Sequence, residues 1–325
     1  MIYIEHDSMD PSFWFGLERE LLQSDTLADD VFLFWRTEPT LMLGRYQNAT
    51  AEINEEYARH HGIHIVRRLS GGGTIYTDPG SWQFSFIRRG YSKQIDFKEF
   101  VLPVFDGLRH MGLDVVMSER NDLLIDGKKF SGNAQHHCKG RVLHHGSILF
   151  DTDIEEMVRC LTVDSEKIIS KGISSVRQRV TNLKEHTSEA MDAPDFRDRL
   201  LRFLLPDGIK RQALGPSDIL RIQNNHAPMF KSWDWVFGQS PAFQVVKSKR
   251  LPGGKVEICL NLEKGVIVDC SITGDFFFAG EIDTVTERLK GCQYSRPGIY
   301  AALSDVMREQ PFYQIGLDEL TTCIL

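Results

Sequence analysis

The chain has no run of the roughly 20 apolar residues that a bilayer-crossing helix needs, so no membrane span is expected. Its first residues, Met1-Ile2-Tyr3-Ile4-Glu5-His6-Asp7, carry neither the basic nor the apolar region of a secretory signal. Cysteines are few: Cys138, Cys160, Cys259, Cys270, Cys292 and Cys323 are scattered, with no Cys-x-x-Cys pair. That spacing argues against a zinc or disulfide framework and predicts reduced thiols in a cytoplasmic protein. Basic residues are outnumbered, 38 Lys and Arg against 45 Asp and Glu, for a formal net charge of -7. General nucleic-acid binding relies on the opposite balance. A P-loop, a Gly-x-Gly-x-x-Gly opening a helix, internal repeats and low-complexity segments are also missing. Neither common nucleotide cradle therefore applies.

What is present suits a globular α/β (α+β) protein, with 42% hydrophobic and 26% charged residues. At 325 residues the chain exceeds the usual size of one core. Its strand and helix pattern changes after about Ser240, which predicts a large domain over 1–239 and a small α+β unit over 240–325.

The chemistry centres on Arg67-Arg68-Leu69-Ser70-Gly71-Gly72-Gly73-Thr74-Ile75-Tyr76-Thr77-Asp78, where a strand runs into three glycines and a second apolar alternation follows. Consecutive glycines in a sheet are costly and make sense where backbone bends tightly against something bulky. Exposed peptide N–H groups beside a guanidinium suit a phosphate oxygen. The bland alternative is a hairpin turn with two solvated arginines.

In chain order, Asp10-Pro11 predicts a capped helix start. Val31–Arg36 reads as a buried strand that pairs as a hairpin with Thr40–Gly44, and Arg45-Tyr46-Gln47-Asn48 at its end points polar groups into a cleft. A helix is expected from Ile53 to His61, a strand with one buried face over Trp82–Ile87, and a helix from Asp96 to His110. Asp126-Gly127 between two strand-like runs signals a hairpin. Just past it, Lys128 and Lys129 point to opposite faces, so only one can face a cleft. His144 and His145 oppose each other in the same way, which disfavours a shared metal; both are expected to pack or hydrogen-bond. Ser174–Leu183 reads as a loop. Three strands (243–250, 255–262, 266–273) and two helices (282–290, 299–308) make up the small unit. Glycine N–H groups, a guanidinium and an ammonium together suit a phosphoryl centre under attack, and Asp122 could hold magnesium.

These residues resemble the lipoate–protein ligase A family. The likeness rests on Trp35 with Gly44–Asn48, on Arg67–Gly73, on Asn121-Asp122 through Gly127–Gln135, and on His144–Leu149, with Arg179–Leu183 as a fifth stretch. It covers nearly the whole chain. It implies a catalytic domain similar to that of the biotin ligases and class II aminoacyl-tRNA synthetases, plus a small carboxy-terminal domain. It implies ATP and Mg2+ as substrate and cofactor, lipoate as the acid, lipoyl-AMP as the intermediate, and a monomer as the working form. The acceptors would be lipoyl domains of 2-oxoacid dehydrogenase complexes or the glycine cleavage H protein.

The resemblance makes Lys129 the catalytic lysine between carboxylate and α-phosphate. Arg68, Gly71, Gly72, Gly73, Thr74, Ile75, Tyr76, Asn121 and Asp122 join it against the adenylate. Trp35, Arg68, Gly73, Lys129 and His145 line lipoate. Asp122 binds magnesium, positions Lys129 or caps a turn; Trp35 is pocket wall or plain core. Arg67 is structural. Thr77, Ser81 and Trp82-Gln83 depart from the family pattern, and the departures are expected to touch the acyl and adenylate wall. Two other readings stay open: an acyltransferase using a Cys138 thioester, and a non-catalytic lipoyl-domain binder. A small domain hinged near 240 would admit the acceptor after sealing the first step.

Overall fold

The computed structural model describes residues 1–24, 29–47, 49–89, 94–118, 121–161, 176–205, 209–238, 245–263 and 266–325. Its early strands are β1 (Ile2–Glu5), β2 (Val31–Trp35), β3 (Thr40–Leu43), β4 (His64–Arg67), β5 (Ile75–Thr77) and β6 (Ser81–Arg89). They are followed by β7 (Val115–Met117), β8 (Asp122–Ile125), β9 (Lys128–Cys138), β10 (Arg141–Leu149) and β11 (Lys210–Ala213). The last three are β12 (Val245–Leu251), β13 (Gly254–Glu263) and β14 (Val266–Gly274).

Eight strands form one sheet in the order β11-β1-β2-β6-β10-β9-β8-β7. Only the β11-β1-β2 end is parallel. Helices cover both faces, which explains why β2, Val-Phe-Leu-Phe-Trp, has no polar side. On one face Phe32, Phe34, Trp82 and Phe86 meet Phe100 and Phe196, the last two carried by helices α2 (Lys98–His110) and α3 (Ala193–Leu204). On the other face Leu33, Trp35, Ile87 and Leu143 meet Trp14 and Phe15 of α1 (Pro11–Gln23). Each such side chain contributes about 1.5–3 kcal/mol by leaving water. Helix α1 begins as expected: Asp10 Oδ1 accepts from the Ser12 N–H at 2.8 Å, with Pro11 at the first position.

Two strand expectations fail, and the expected loop over Ser174–Leu183 is helical at 176–179, with a 3-10 turn over Leu183–His186. Strand β6 is buried on both faces, because helices pack against each side of the sheet where it lies between β2 and β10. Strand β3 does not pair with β2: it is the centre of a separate three-stranded sheet, parallel to β4 and antiparallel to β5. The glycine triplet is therefore no hairpin turn, since β4 and β5 flank β3 without touching each other.

The Asp126-Gly127 hairpin is present, with φ of 49° and 73° at its two corner residues. The third sheet, β12-β13-β14, packs on α4 (Ile282–Leu289), α5 (Arg296–Glu309) and α6 (Leu317–Ile324) around Val256, Ile258, Ile272, Val285 and Leu303. Helix α6 was not expected. The boundary expected near 240 falls on residues 239–244, which lie outside the described residues, as do Asn48 and Ser174-Ser175.

This carboxy-terminal unit touches the glycine bend directly. The Gly72 N–H donates to the Phe276 carbonyl at 3.1 Å, and the Gly274 N–H donates to the Tyr46 carbonyl. Tyr46 stacks on Phe276 with centroids 4.9 Å apart. A Cβ on Gly71 would sit 2.1 Å from the Phe276 carbonyl oxygen. Gly71→Ala is therefore expected to lower the unfolding free energy by about 1–3 kcal/mol; an unchanged urea midpoint would refute this seating.

Candidate active site

A cavity of about 130 Å³ lies between the large sheet and the glycine bend. Trp35, Arg68, Gly72, Gly73, Thr74, Ile75, Asn121, Lys129 and His145 line it, which brings most of the expected set together. Phe15, Met42, Gln83, Asn133, Ser147 and Phe277 complete much of the wall.

The bend is held from beneath by Arg68. Its Nε donates to Ser70 Oγ at 3.1 Å and Nη1 to the Met42 carbonyl at 2.7 Å. Nη2 donates to the carbonyls of Gly71 and Gly73, each at 2.8 Å. The guanidinium expected to reach a nucleotide is thus engaged by its own loop, while still forming cavity wall. Burial, with Arg67 alongside, pushes Arg68 down to about 9, and Glu18 opposes that shift. Gly72 has φ of +92°, a left-handed value that suits glycine, and a Cβ there would meet Arg68 Nη2 at 3.1 Å. Arg67 is structural as expected, donating to the carbonyls of Gly44, Gln47, Trp235 and Val236.

A buried polar chain runs under the cavity. Trp35 Nε1 donates to Ser85 Oγ at 3.0 Å, and Ser85 Oγ donates to Glu18 Oε1 at 2.6 Å. Glu18 Oε1 lies 3.2 Å from His145 Nδ1, and His145 Nε2 lies 2.5 Å from Ser70 Oγ. One tautomer satisfies every link: Nδ1–H donates to the carboxylate, and the Ser70 hydroxyl donates to Nε2 while accepting from Arg68. Glu18 was missed from the sequence. Its signal was a carboxylate on the buried stripe of α1 between Phe15 and Leu22.

Lys129 faces the cavity and Lys128 does not. Lys129 Nζ pairs with Asp122 Oδ1 at 2.7 Å. The Thr181 N–H donates to the Lys129 carbonyl at 3.0 Å, and Val180 bridges to Lys129, so the Arg179–Leu183 stretch braces that strand. Asn121 Nδ2 donates to the Asn133 carbonyl and Asn133 Nδ2 to the Asn121 carbonyl, at 2.6 and 2.8 Å. Asn121 therefore both ties the strand end and forms wall.

Three expected residues stand apart from the wall. Gly71 is pressed on Phe276, Tyr76 is buried with Leu41 and Leu43, and Asp122 lines an adjoining hollow. The Arg45–Gln47 side chains do not enter the cleft. Gln47 Oε1 accepts from the Gly44 N–H and Thr74 Oγ1, and the Arg45 guanidinium lies 4.3 Å from the Trp235 ring centroid. Among the departures, Thr77 Oγ1 pairs with Thr37 Oγ1, Ser81 Oγ caps Asp78, and Trp82 donates to the Ala193 carbonyl on the other face. Only Gln83 reaches the wall. Cys138 is not on it either; burial, then Glu281, pushes its thiol up, away from a nucleophile's state. No cluster of three or more His, Cys, Asp or Glu able to hold a metal occurs among the described residues. A lone carboxylate such as Asp122 fits a magnesium ion that arrives on phosphates.

The lipoyl protein ligase A/B catalytic domain family matches residues 10–205, and the bacterial lipoate protein ligase C-terminus matches residues 240–324. The chain belongs to the lipoate–protein ligase family. Lipoate-protein ligase LplJ of Bacillus subtilis is 36% identical to it over 330 residues, 100% of both chains. The crystal structure of P. falciparum LipL1 in complex with lipoate superposes with a TM-score of 0.79 at 23% identity, over 100% of this chain and 99% of that one. A chain from the bi-partite lipoate protein ligase system of Thermoplasma acidophilum gives 0.65 at 25% identity, over 75% and 98%. The mixed α/β class is thus that of the lipoate–protein ligases.

In this ligase His144 points away from the cavity, stacked on Phe100 at 5.0 Å and bonded to Gln135 and Asn133. Burial, with His145 and Arg88 nearby, holds its imidazole well below the usual histidine range. The unfolded chain takes up a proton near pH 6.5 that the folded chain refuses. Stability is therefore fully present above that pH and falls as pH drops through it. The urea midpoint should be lower at pH 5 than at pH 7, and His144→Asn should flatten part of that slope; an equal slope in both proteins would dismiss the assignment.

Proposed function

We propose that this chain activates free lipoate with ATP and transfers the lipoyl group to a lysine of a lipoyl domain. A lipoate carboxylate oxygen attacks the α-phosphorus, pyrophosphate leaves, and lipoyl-AMP forms. The acceptor amine then attacks the acyl carbonyl, AMP departs, and an amide remains. The observation that carries this reading is Lys129, whose ammonium is held by Asp122 at the edge of a cavity walled by Trp35, Phe15 and Met42. One end of that cavity suits two anions brought together, and the other suits an apolar chain.

Lys129 offsets the repulsion between carboxylate and α-phosphate and stabilises the charge that develops between them. The N–H groups of Gly73 and Thr74 and the Asn121 amide lie against the adenylate. Asp122 is the carboxylate that would hold a magnesium ion carried on the ATP phosphates, where the ion would supply neutralisation of phosphate charge. Phe277 covers the bend and limits water, which would hydrolyse the mixed anhydride. The acceptors are lipoyl domains of 2-oxoacid dehydrogenases or the glycine cleavage H protein. The protein works as a cytoplasmic monomer of two units, 1–239 and 240–325, hinged near 240.

Mass spectrometry of a lipoyl domain incubated with the protein, lipoate, ATP and magnesium tests this directly. Lipoylation is expected, and Lys129→Ala should lose about 10²–10³ in kcat. Undiminished turnover by that variant, or ATP-independent transfer, would overturn the assignment.

A further inference from the structure

Gln83 is 3% exposed, and neither its Oε1 nor its Nε2 has a hydrogen-bond partner, although it forms part of the cavity wall. Buried amides are ordinarily paired, because sealing one away from water unpaired is costly. An amide kept in that state at a cavity wall is complementary to something that enters the cavity.

Its place in the sheet says which part of a substrate it meets. Gln83 lies directly opposite Trp35 on β2 and Ser147 on β10, so all three side chains rise from one face. Lys129 belongs to β9, beyond β10. Two strand spacings, about 9–10 Å, separate the Gln83 strand from the strand of the cation. An acid whose carboxylate sits at Lys129 and whose chain crosses the strands toward Trp35 lays its tail over Gln83. The Trp35 indole N–H is already given to Ser85, and both His145 nitrogens are engaged by Glu18 and Ser70. Trp35 and His145 thus have no free hydrogen-bonding atom for a tail, and the Ser147 hydroxyl lies on β10, one strand nearer Lys129 than Gln83.

We propose that Gln83 reads the tail of the acyl substrate: its amide N–H donates to a ring sulfur of lipoate and makes the site prefer a sulfur-bearing chain over an all-carbon one. This rests on the ligase reading above. Sulfur is a weak but polarisable acceptor. A hydrocarbon tail fills the same space yet seals the amide with no partner, so the penalty falls on the wrong acid. Because the acceptor is weak, the discrimination is on the order of tenfold, far below that of a hydroxyl-reading site.

The test compares kcat/KM for lipoate and octanoate in the full-length wild type and in Gln83→Met, which keeps length and removes both polar atoms. The wild type should favour lipoate by about tenfold, and Gln83→Met should bring the ratio near unity, mainly through a lower KM for octanoate. Its melting temperature without substrate should be no lower than wild type. The same ratio in both proteins would overturn the role of Gln83. Should Gln83→Met not fold, Gln83→Leu replaces it under the same criterion. Absence of turnover with either acid in the wild type would count against the ligase reading instead. Calorimetric titration of lipoate and octanoate then decides on Gln83, and an affinity ratio equal in wild type and variant would refute it.

Discussion

The guanidinium of Arg68, bonded to Ser70 and to the carbonyls of Met42, Gly71 and Gly73, is the charge about which the site is arranged. A buried cation is tolerable only when its donors are fully used. Here oriented carbonyls satisfy it in place of a contacting carboxylate. That need dictates the bend: the Gly71 and Gly73 carbonyls can converge on the guanidinium only if the backbone turns back over the side chain, while Met42 adds its carbonyl from β3. Ser70 extends the arrangement to His145 and Glu18, and so to the floor of the cavity. Arg67, one residue earlier and therefore on the opposite face, fastens the same strand end to Trp235 and Val236. Two adjacent arginines thus pin one loop from both sides.

Local rules made some of this legible from the residues alone. The Asp10-Pro11 start of α1, the Asp126-Gly127 turn and the opposed faces of Lys128 and Lys129 depend only on neighbours a few residues away. Lys129, Arg68, Asn121 and Trp35 could be named because their motifs survive in sequence. What failed was long-range. The partner of β3 is set by β4 and β5, which no feature of Thr40–Gly44 discloses. The double burial of β6 follows from α1 on one face and α2 and α3 on the other, none of which its own alternation discloses. A guanidinium beside glycines suits phosphate, and Arg68 does line the cavity; that its hydrogen bonds also turn inward depends on the Met42 carbonyl, contributed by another strand. Glu18 was silent because one acidic residue on an apolar helix face looks like an interruption until Ser85 and His145 are placed against it.

The contact between the large sheet's loops and the carboxy-terminal unit is built from small contributions. Tyr46 on Phe276, and Phe97 on Phe277 at 5.0 Å, are aromatic pairs of about 0.5–1.5 kcal/mol each beyond their burial. The Arg45–Glu281 pair at 3.7 Å adds little, because Glu281 is largely exposed. Two backbone hydrogen bonds complete the seam. Such a seam orders the parts through several small contacts rather than one large one.

The Gly72 amide is turned toward Phe276 across that seam, and Phe277 lies over the same glycine. Parting the seam would therefore uncover the bend and free its amide hydrogen in one movement. A covering segment that borrows the donor it conceals couples access to polarity: the opened chamber is also the more electropositive one.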